Sequence, residues 1–411
     1  MSHFQLLLDK TTLITLSETE SEYALEQFPA KTSHTNNSPT LLSIHKTSLP
    51  TYLTNSEITV IDSIKSGNRI STKSVYKQLL SPLFKLLDVK HTYLETRSQH
   101  TIKEFGSTIS TTTTTTESGK NGHLIIFISG DTSISEFING IPDIHPDIFI
   151  LPIPQGTGNA LSQSLNIQTP IDSIKALLTT AKPHKFQLYN ALFTQPSYVL
   201  HSDERESETV TSLKFFVVGS WCLHSTLVGE SDTPELRKFG RDRFRMAANQ
   251  LLSTNPEFKG GISKIERVDN VNDNDNDNDG DFKETNVLFE DGQSLSYFVL
   301  AGVPKFEKTF EISPLSDPKS ESLYLVYFRH LDAADTMEIM KQAYDKGAHV
   351  KNKDVSYVEI KKTDQVVLSI ADDMERRLSK VCLDGTIVEV SGKNRSVVFN
   401  WIDSNNLFCI Y

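Results

Sequence analysis

The chain has 411 residues, 37% of them hydrophobic and 23% charged, enough to bury a sizeable core in about two domains. A formal net charge of −11 argues against a general nucleic-acid binder, which needs a basic groove to displace counterions. The longest apolar runs are strand-sized, short of the ~20 residues of a bilayer helix. MSHFQLLLDKTTLITLSETE has neither a basic flank nor a long apolar stretch, which predicts a cytoplasmic protein with no transmembrane segment. Cys222, Cys382 and Cys409 show no paired spacing and read as buried thiols rather than disulfides or a zinc site.

Residues 1–54 read as an accessory N-terminal segment in which FQLLLDKTTLITL could form a short hairpin. From Glu57, EITVIDSI reads as a strand. STKSVYKQLLSPLFKLLDV follows as a helix with Val75, Leu79, Leu80, Leu83, Leu86 and Leu87 on one face, weakened at Pro82. VKHTYLET reads as a strand, SQHTIKEFG as a short helix, and STISTTTTTTESGKNG as a loop with no burial pattern.

Next come the strand LIIFIS, the helix SISEFING, the strand DIFILPI and the helix NALSQSLNI. This alternation predicts a parallel sheet with crossover helices. In such a sheet the ligand crevice lies at the carboxyl ends of the strands, which puts Ser129, Gly130 and Asp131 at its mouth. After residue 180 the rhythm changes to short strands, among them SLKFFVVGSW, NVLFED, SLSYFVLAG and SLYLVYF, with one helical stretch over 233–253. These predict a mainly antiparallel, β-sandwich-like second domain.

VDNVNDNDNDNDGDFKET is an acidic low-complexity insertion, residues 269–284, in that domain. Asp275, Asp277, Asp279 and Gly280 fit the first half of a calcium loop, but Asn286 stands where a bidentate glutamate is required. It reads as a solvated loop.

The loop PIPQGTGNALSQSLNI carries Gly156 and Gly158, whose amides can turn toward an anion, and Asn159, a good cap for the helix that follows. Alone, such glycines mark a tight turn. Beside the 129–131 turn they suggest a phosphate cradle, although neither a Walker A nor a dinucleotide fingerprint is present.

SGDTSISEFING together with PIPQGTGNALSQSLN resembles the catalytic domain of the diacylglycerol kinase and sphingosine kinase superfamily of lipid kinases, the second motif lying nearest the sphingosine and ceramide kinase branch. The resemblance runs from about Glu57 to Val390. TVIDSIKSGN looks like the first family strand and its Asn-Pro-x-Ser-Gly loop, with Asp62 and Ser63 replacing Asn-Pro. LETRSQH resembles the nucleotide loop, GESDTPELRKFGRDRF the sphingosine kinase Arg-x-x-Gly-x-x-Arg-Phe stretch, and DKGAHV and SKVCLDGTIVEV the Gly-x-His and Asp-Gly-Glu landmarks.

The resemblance implies a Rossmann-like three-layer nucleotide domain over 55–180 and a β-rich lipid-binding domain over 181–411, with ATP in the cleft between them. It further implies Mg2+ carried on the ATP with no metal held by protein alone, and transfer of the γ-phosphoryl group to the primary hydroxyl of a sphingoid base or related lipid. The chain would meet that lipid from the cytoplasm as a peripheral membrane protein. Homodimerisation is left open.

By the same resemblance, Asp131 is the catalytic base, contacting the lipid hydroxyl. Ser66, Gly67, Thr96, Ser129, Gly130, Thr132, Gly156, Thr157, Gly158, Asn159, Arg237, Arg243, Asp384 and Gly385 stand at nucleotide positions, and Glu230 at the acidic position that holds a sphingoid amine. Without it, Asp131 would read as a cap for SISEFING and ELRKFGRDRFRM as a solvated helix face. His100 and His349 read as structural. Thr132 replaces the glycine that usually follows the catalytic aspartate, Thr386 replaces the glutamate of Asp-Gly-Glu, and SPLSDPKSESLYLV lacks the metal-binding Asp-Gly pair of bacterial relatives. These departures keep a second reading alive, a lipid- or nucleotide-binding protein without turnover.

Overall fold

The computed structural model describes residues 2–30, 41–67, 69–70, 72–109, 121–240, 242–268 and 282–411; most of the threonine-rich loop and of the acidic insertion lies outside them. The chain divides into two units, residues 1–186 with 405–411, and residues 187–404.

The first unit opens with β1 (Ser2–Leu8), β2 (Thr12–Glu18) and β3 (Tyr23–Pro29), an antiparallel meander, and β4 (Leu42–Ile44), which pairs parallel with β1. Leu6, Leu8, Ile14, Leu16 and Tyr23 are buried and belong to the same apolar cluster as the unit's central strands. The hairpin read over FQLLLDKTTLITL is β1–β2, and β3 and β4 extend it to a four-stranded sheet built into the unit's core.

After α1 (Thr51–Thr54) the central sheet begins with β5 (Ser56–Asp62). The amphipathic stretch that follows starts as a π-helical turn, Tyr76–Leu80, and continues as α2 (Ser81–Leu87). Pro82 has no N–H to complete the α ladder, and the chain widens just before it, Ser81 donating five residues back to Tyr76 O. Val75, Leu79, Leu80, Leu83 and Leu87 are buried, as their spacing predicts.

Then come β6 (Thr92–Glu95), α3 (Thr101–Ser107), β7 (Gly122–Ser129), α4 (Asp131–Ile138), β8 (Asp147–Pro154), α5 (Ala160–Ser164), α6 (Pro170–Thr179) and the short β9 (His184–Lys185). Strands β6, β5, β7 and β8 lie side by side, all parallel. Leu124, Ile126 and Ile128 of β7 join the cluster that contains α2, α6 and the N-terminal sheet. On the other face Phe127 meets Phe137 of α4 edge-on at 5.6 Å, and Phe105 of α3 stacks on Phe137. A strand covered on both faces must be apolar throughout, hence the unbroken LIIFI; each fully buried Leu or Ile contributes ~1.5–3 kcal/mol.

The second unit contains β10 (Leu188–His201), β11 (Glu204–Phe215), β12 (Val218–Cys222), α7 (Leu223–Ser231), α8 (Pro234–Arg237), α9 (Asp242–Thr254), β13 (Phe258–Val268), β14 (Phe282–Ala301), β15 (Leu323–Arg329), α10 (Ala333–Ala343), β16 (Ser356–Ile360), β17 (Gln365–Ile370), β18 (Lys380–Leu383), β19 (Thr386–Val390) and β20 (Arg395–Ile402). The antiparallel β-rich architecture is as predicted. It takes the form of a ring: β12-β18-β19-β10-β20-β17-β13-β14 run in order and β14 pairs back to β12. NVLFED and SLSYFVLAG, read as two strands, are one 20-residue strand, β14. The ring encloses Trp221, Phe215, Phe258, Phe298 and Phe399, while β15–β16 extend from β14 and β11 from β10.

The chain then rejoins the first unit with β21 (Leu407–Cys409), which pairs parallel with β8 and antiparallel with β9. All three cysteines are buried and unpaired, and burial pushes the Cys382 and Cys409 thiols up to about 12.

Candidate functional site

The loops that leave the carboxyl ends of β5, β7 and β8 meet one another through glycines. A side chain on Gly156 would lie 2.4 Å from Gly130 Cα, one on Gly130 2.8 Å from Gly158 O, and one on Gly67 2.5 Å from Gln155 O. All three obstacles are backbone, so glycine is required on steric grounds at these crossings, and Gly67 also sits at φ +65°. Gly158 is different: nothing lies within 4 Å of its added carbon, and the residue is exposed. Among the described residues no hydrogen bond engages the Thr157 or Gly158 amide.

Asn159 does not cap α5; its side chain pairs with the backbone of Gly156 instead, Oδ1 accepting from Gly156 N at 2.9 Å and Nδ2 donating to Gly156 O at 2.8 Å. The Gly156 amide is therefore committed inside the turn. The cap of α5 comes from across the cleft between the two loops: Asp131 accepts from Ala160 N at 2.6 Å and Leu161 N at 3.2 Å. Asp131 thus caps the neighbouring helix, not α4, of which it is the first residue. Burial raises its carboxyl to about 6 despite these two donors, which pull the other way. A carboxylate has about four lone-pair sites, so two remain for another proton donor.

Ser129 N and O continue the β7 ladder region, with Ser129 O accepting from Gln155 N at 3.0 Å, and its hydroxyl donates to Gly130 O. Thr132 is exposed on the first turn of α4. Thr96 follows β6, its N–H bonded to Asp62 O at 3.0 Å. The loop carrying Ser66 and Gly67 is fixed through Asp62 by two groups that the sequence did not single out, Arg69 and Tyr93. Arg69 pairs with the Asp62 carboxylate and donates to Ile128 O and, at 3.2 Å, to Ser66 O, while Tyr93 donates to Asp62 Oδ2 at 3.0 Å. A buried carboxylate at the end of a strand, seven residues before an arginine, was the signal available.

In the second unit the expected charged residues are engaged with one another. Arg237 forks onto Asp232 at 3.0 and 2.6 Å, and Arg243 reaches the same carboxylate at 2.9 Å. Glu230, the carboxylate expected to hold an amine, is gripped by Arg377 through Nε and, at 3.1 Å, Nη2. Asp384 is buried at φ +50° and accepts from the N–H groups of Phe216, Val217 and Val218 at 2.8, 2.9 and 2.8 Å. It secures the entry to β12, with Gly385 completing the turn at φ +91°. Both Asp384 oxygens accept from backbone N–H groups of this turn. His349 is fully buried against Ile312 O at 3.1 Å, and burial lowers its pKa; His100 precedes α3 on the surface.

These features define a parallel α/β unit with glycine-lined loops at its strand ends and a carboxylate among them, and a separate β-barrel unit. Residues 57–191 match the family described as the diacylglycerol kinase catalytic domain, and this segment belongs to that superfamily. A diacylglycerol kinase structure from Bacillus anthracis str. Sterne superposes with TM-score 0.51 at 13% identity, over 87% of this chain and 97% of that one. A second structure from the same organism, of the same description, gives TM-score 0.53 at 14% identity over the same shares. At these identities the likeness shows the fold. No curated protein matches the chain in sequence.

Proposed function

We propose that the chain is an ATP-dependent lipid kinase and that the 66–67, 129–132 and 156–158 turns receive the nucleotide's polyphosphate. One observation carries this reading: three glycines pack backbone against backbone while Gly158, next to them, stays open beside the Asp131 carboxylate. An anion can approach only where no Cβ intervenes and amides are uncommitted. ATP supplies the γ-phosphoryl group. Among the described residues no three His, Cys, Asp or Glu side chains gather at one point; Mg2+ enters this proposal as a companion of ATP, where it would neutralise phosphate charge.

Asp131 is assigned the proton of the lipid hydroxyl. Its two backbone donors fix the direction of the carboxylate, and its raised pKa of about 6 brings its basicity toward the pH at which it must work. The ionised form is the base, so turnover falls as pH drops through about 6.

For the acceptor, the proposal commits to a lipid alcohol and keeps the sphingoid base as its finer form. An ammonium seeking Glu230 must compete with the Arg377 fork. A neutral glyceride meets no such competition. The reading without turnover draws support from Asp131's work as a helix cap, which alone would explain an aspartate there.

The test is phosphate transfer from ATP to sphingosine, ceramide and diacylglycerol in mixed micelles. Wild type should transfer to at least one, Asp131→Asn should lose about 100-fold or more, and Thr132→Gly should raise turnover. Nucleotide binding with no transfer by any of the three proteins would establish the second reading.

A further inference from the structure

The N-terminal sheet touches the candidate cradle through a continuous chain of polar contacts. Lys73, beyond the first glycine loop, donates from Nζ to Glu18 Oε1 at 2.9 Å and to Thr19 O at 2.8 Å, at the end of β2. The same ammonium lies over the Tyr23 ring, 4.5 Å from its centroid. Tyr23 opens β3, is 4% exposed, and its hydroxyl accepts from Gln155 Nε2 at 3.4 Å. Gln155 is the residue on which the loops converge: its N–H is bonded to Ser129 O at 3.0 Å, and its carbonyl is the atom that a Cβ at Gly67 would strike.

We infer that Tyr23, with Glu18 and Lys73, is a positioning element of the nucleotide site. Lys73, held by Glu18 and seated over the Tyr23 ring, and Tyr23, bonded to Gln155, tie the loop after β5 to the loop after β8 by way of a sheet that lies outside the matched catalytic segment of residues 57–191. Burial alone does not account for it. Placing an ammonium, a carboxylate and a phenol hydroxyl together in a partly buried spot costs free energy unless each is partnered, and each partner here belongs to, or leads to, a glycine loop. The main driver that pushes the Tyr23 pKa up is burial, then the Glu18 charge, so the hydroxyl stays protonated. None of these side chains touches substrate; they act through Gln155 and the loop backbone.

This inference rests on the nucleotide reading of the cradle, and the experiment separates the two. MgATP is titrated calorimetrically into wild type, Tyr23→Phe, Lys73→Met and, as a control on the same strand, Phe28→Ala, which alters an exposed side chain. Tyr23→Phe removes one hydroxyl and should raise the Kd for MgATP about five-fold, the size of one hydrogen bond. Lys73→Met should do the same, and Phe28→Ala should leave Kd unchanged. A steady-state assay should show the change in KM for ATP with the lipid KM unaltered. A double cycle of Tyr23→Phe with Gln155→Leu should be non-additive.

Wild type that takes up no MgATP overturns both the reading and the inference. Wild-type binding with an unchanged Kd in Tyr23→Phe and Lys73→Met overturns the inference alone. Should Tyr23→Phe fail to fold, Lys73→Met decides, since its ammonium sits at the margin of the sheet.

Discussion

The glycine cradle of the first unit and the acid–base cluster around α7–α9 of the second occupy opposite chemical states. In the cradle, side chains are absent by steric necessity and an amide-bearing turn remains open at Gly158. In the cluster every charge named by its sequence pattern has a protein partner: Arg237 and Arg243 share Asp232, and Glu230 holds Arg377. A site prepared for a charged ligand keeps donors uncommitted, and a site that has satisfied its own charges must surrender a pairing before it can bind. The first unit is prepared in that sense; the second is self-satisfied.

The widest break in this comparison comes from Gly156→Val against Gly158→Val. The former drives a side chain into the Gly130 backbone and should cost ~3 kcal/mol or more, read as a lower urea midpoint. The latter meets open space and should keep that midpoint while weakening MgATP binding.

Asp384→Ala comes next. It strands three buried N–H groups at ~1–3 kcal/mol for a lost buried acceptor, and limited proteolysis should then cut within 187–404.

Glu136 on α4 sharpens the picture of the first unit, because burial raises its carboxyl to about 7 and no charged partner opposes that. A folded pKa above the unfolded one means the folded state holds more protons, so stability falls as pH rises from the unfolded value through about 7. Glu136→Gln should therefore stabilise on the order of 1–2 kcal/mol at pH 8 and have little effect at pH 4, by thermal melts at both. The smallest effect is Arg377→Met. Loss of a half-exposed ion pair costs at most ~1 kcal/mol, but it frees Glu230, and turnover of sphingosine should then rise relative to diacylglycerol if the amine is recognised there.

Much of the first unit was legible because its signals are local. LIIFIS and DIFILPI are unbroken apolar runs, and the glycines follow them directly, so β7, β8 and their loops could be placed from spacing alone. Asp131 was found but its cap was not: its donors, Ala160 and Leu161, belong to the next crossover. The N-terminal sheet was not placed as a structural layer because what packs on it is distant in sequence, as in the contact of Tyr23 with Gln155, 132 residues apart. Glu230 and Arg377, separated by 147 residues, show the same limit. Residue type predicts that a carboxylate will find a cation, but only the fold says which one, and a sequence resemblance transfers the position without the partner.

Strand β21 pairs with β8 and β9, yet it is translated after the whole of residues 187–404. At ~5–20 residues per second the flank of β8 stays unzipped for roughly ten to forty seconds while the barrel is being made. During that interval a bare parallel strand is a template for foreign chains. Nascent polypeptide released before residue 407 should be a client of chaperones, and the barrel's own folding speed sets how long that exposure lasts.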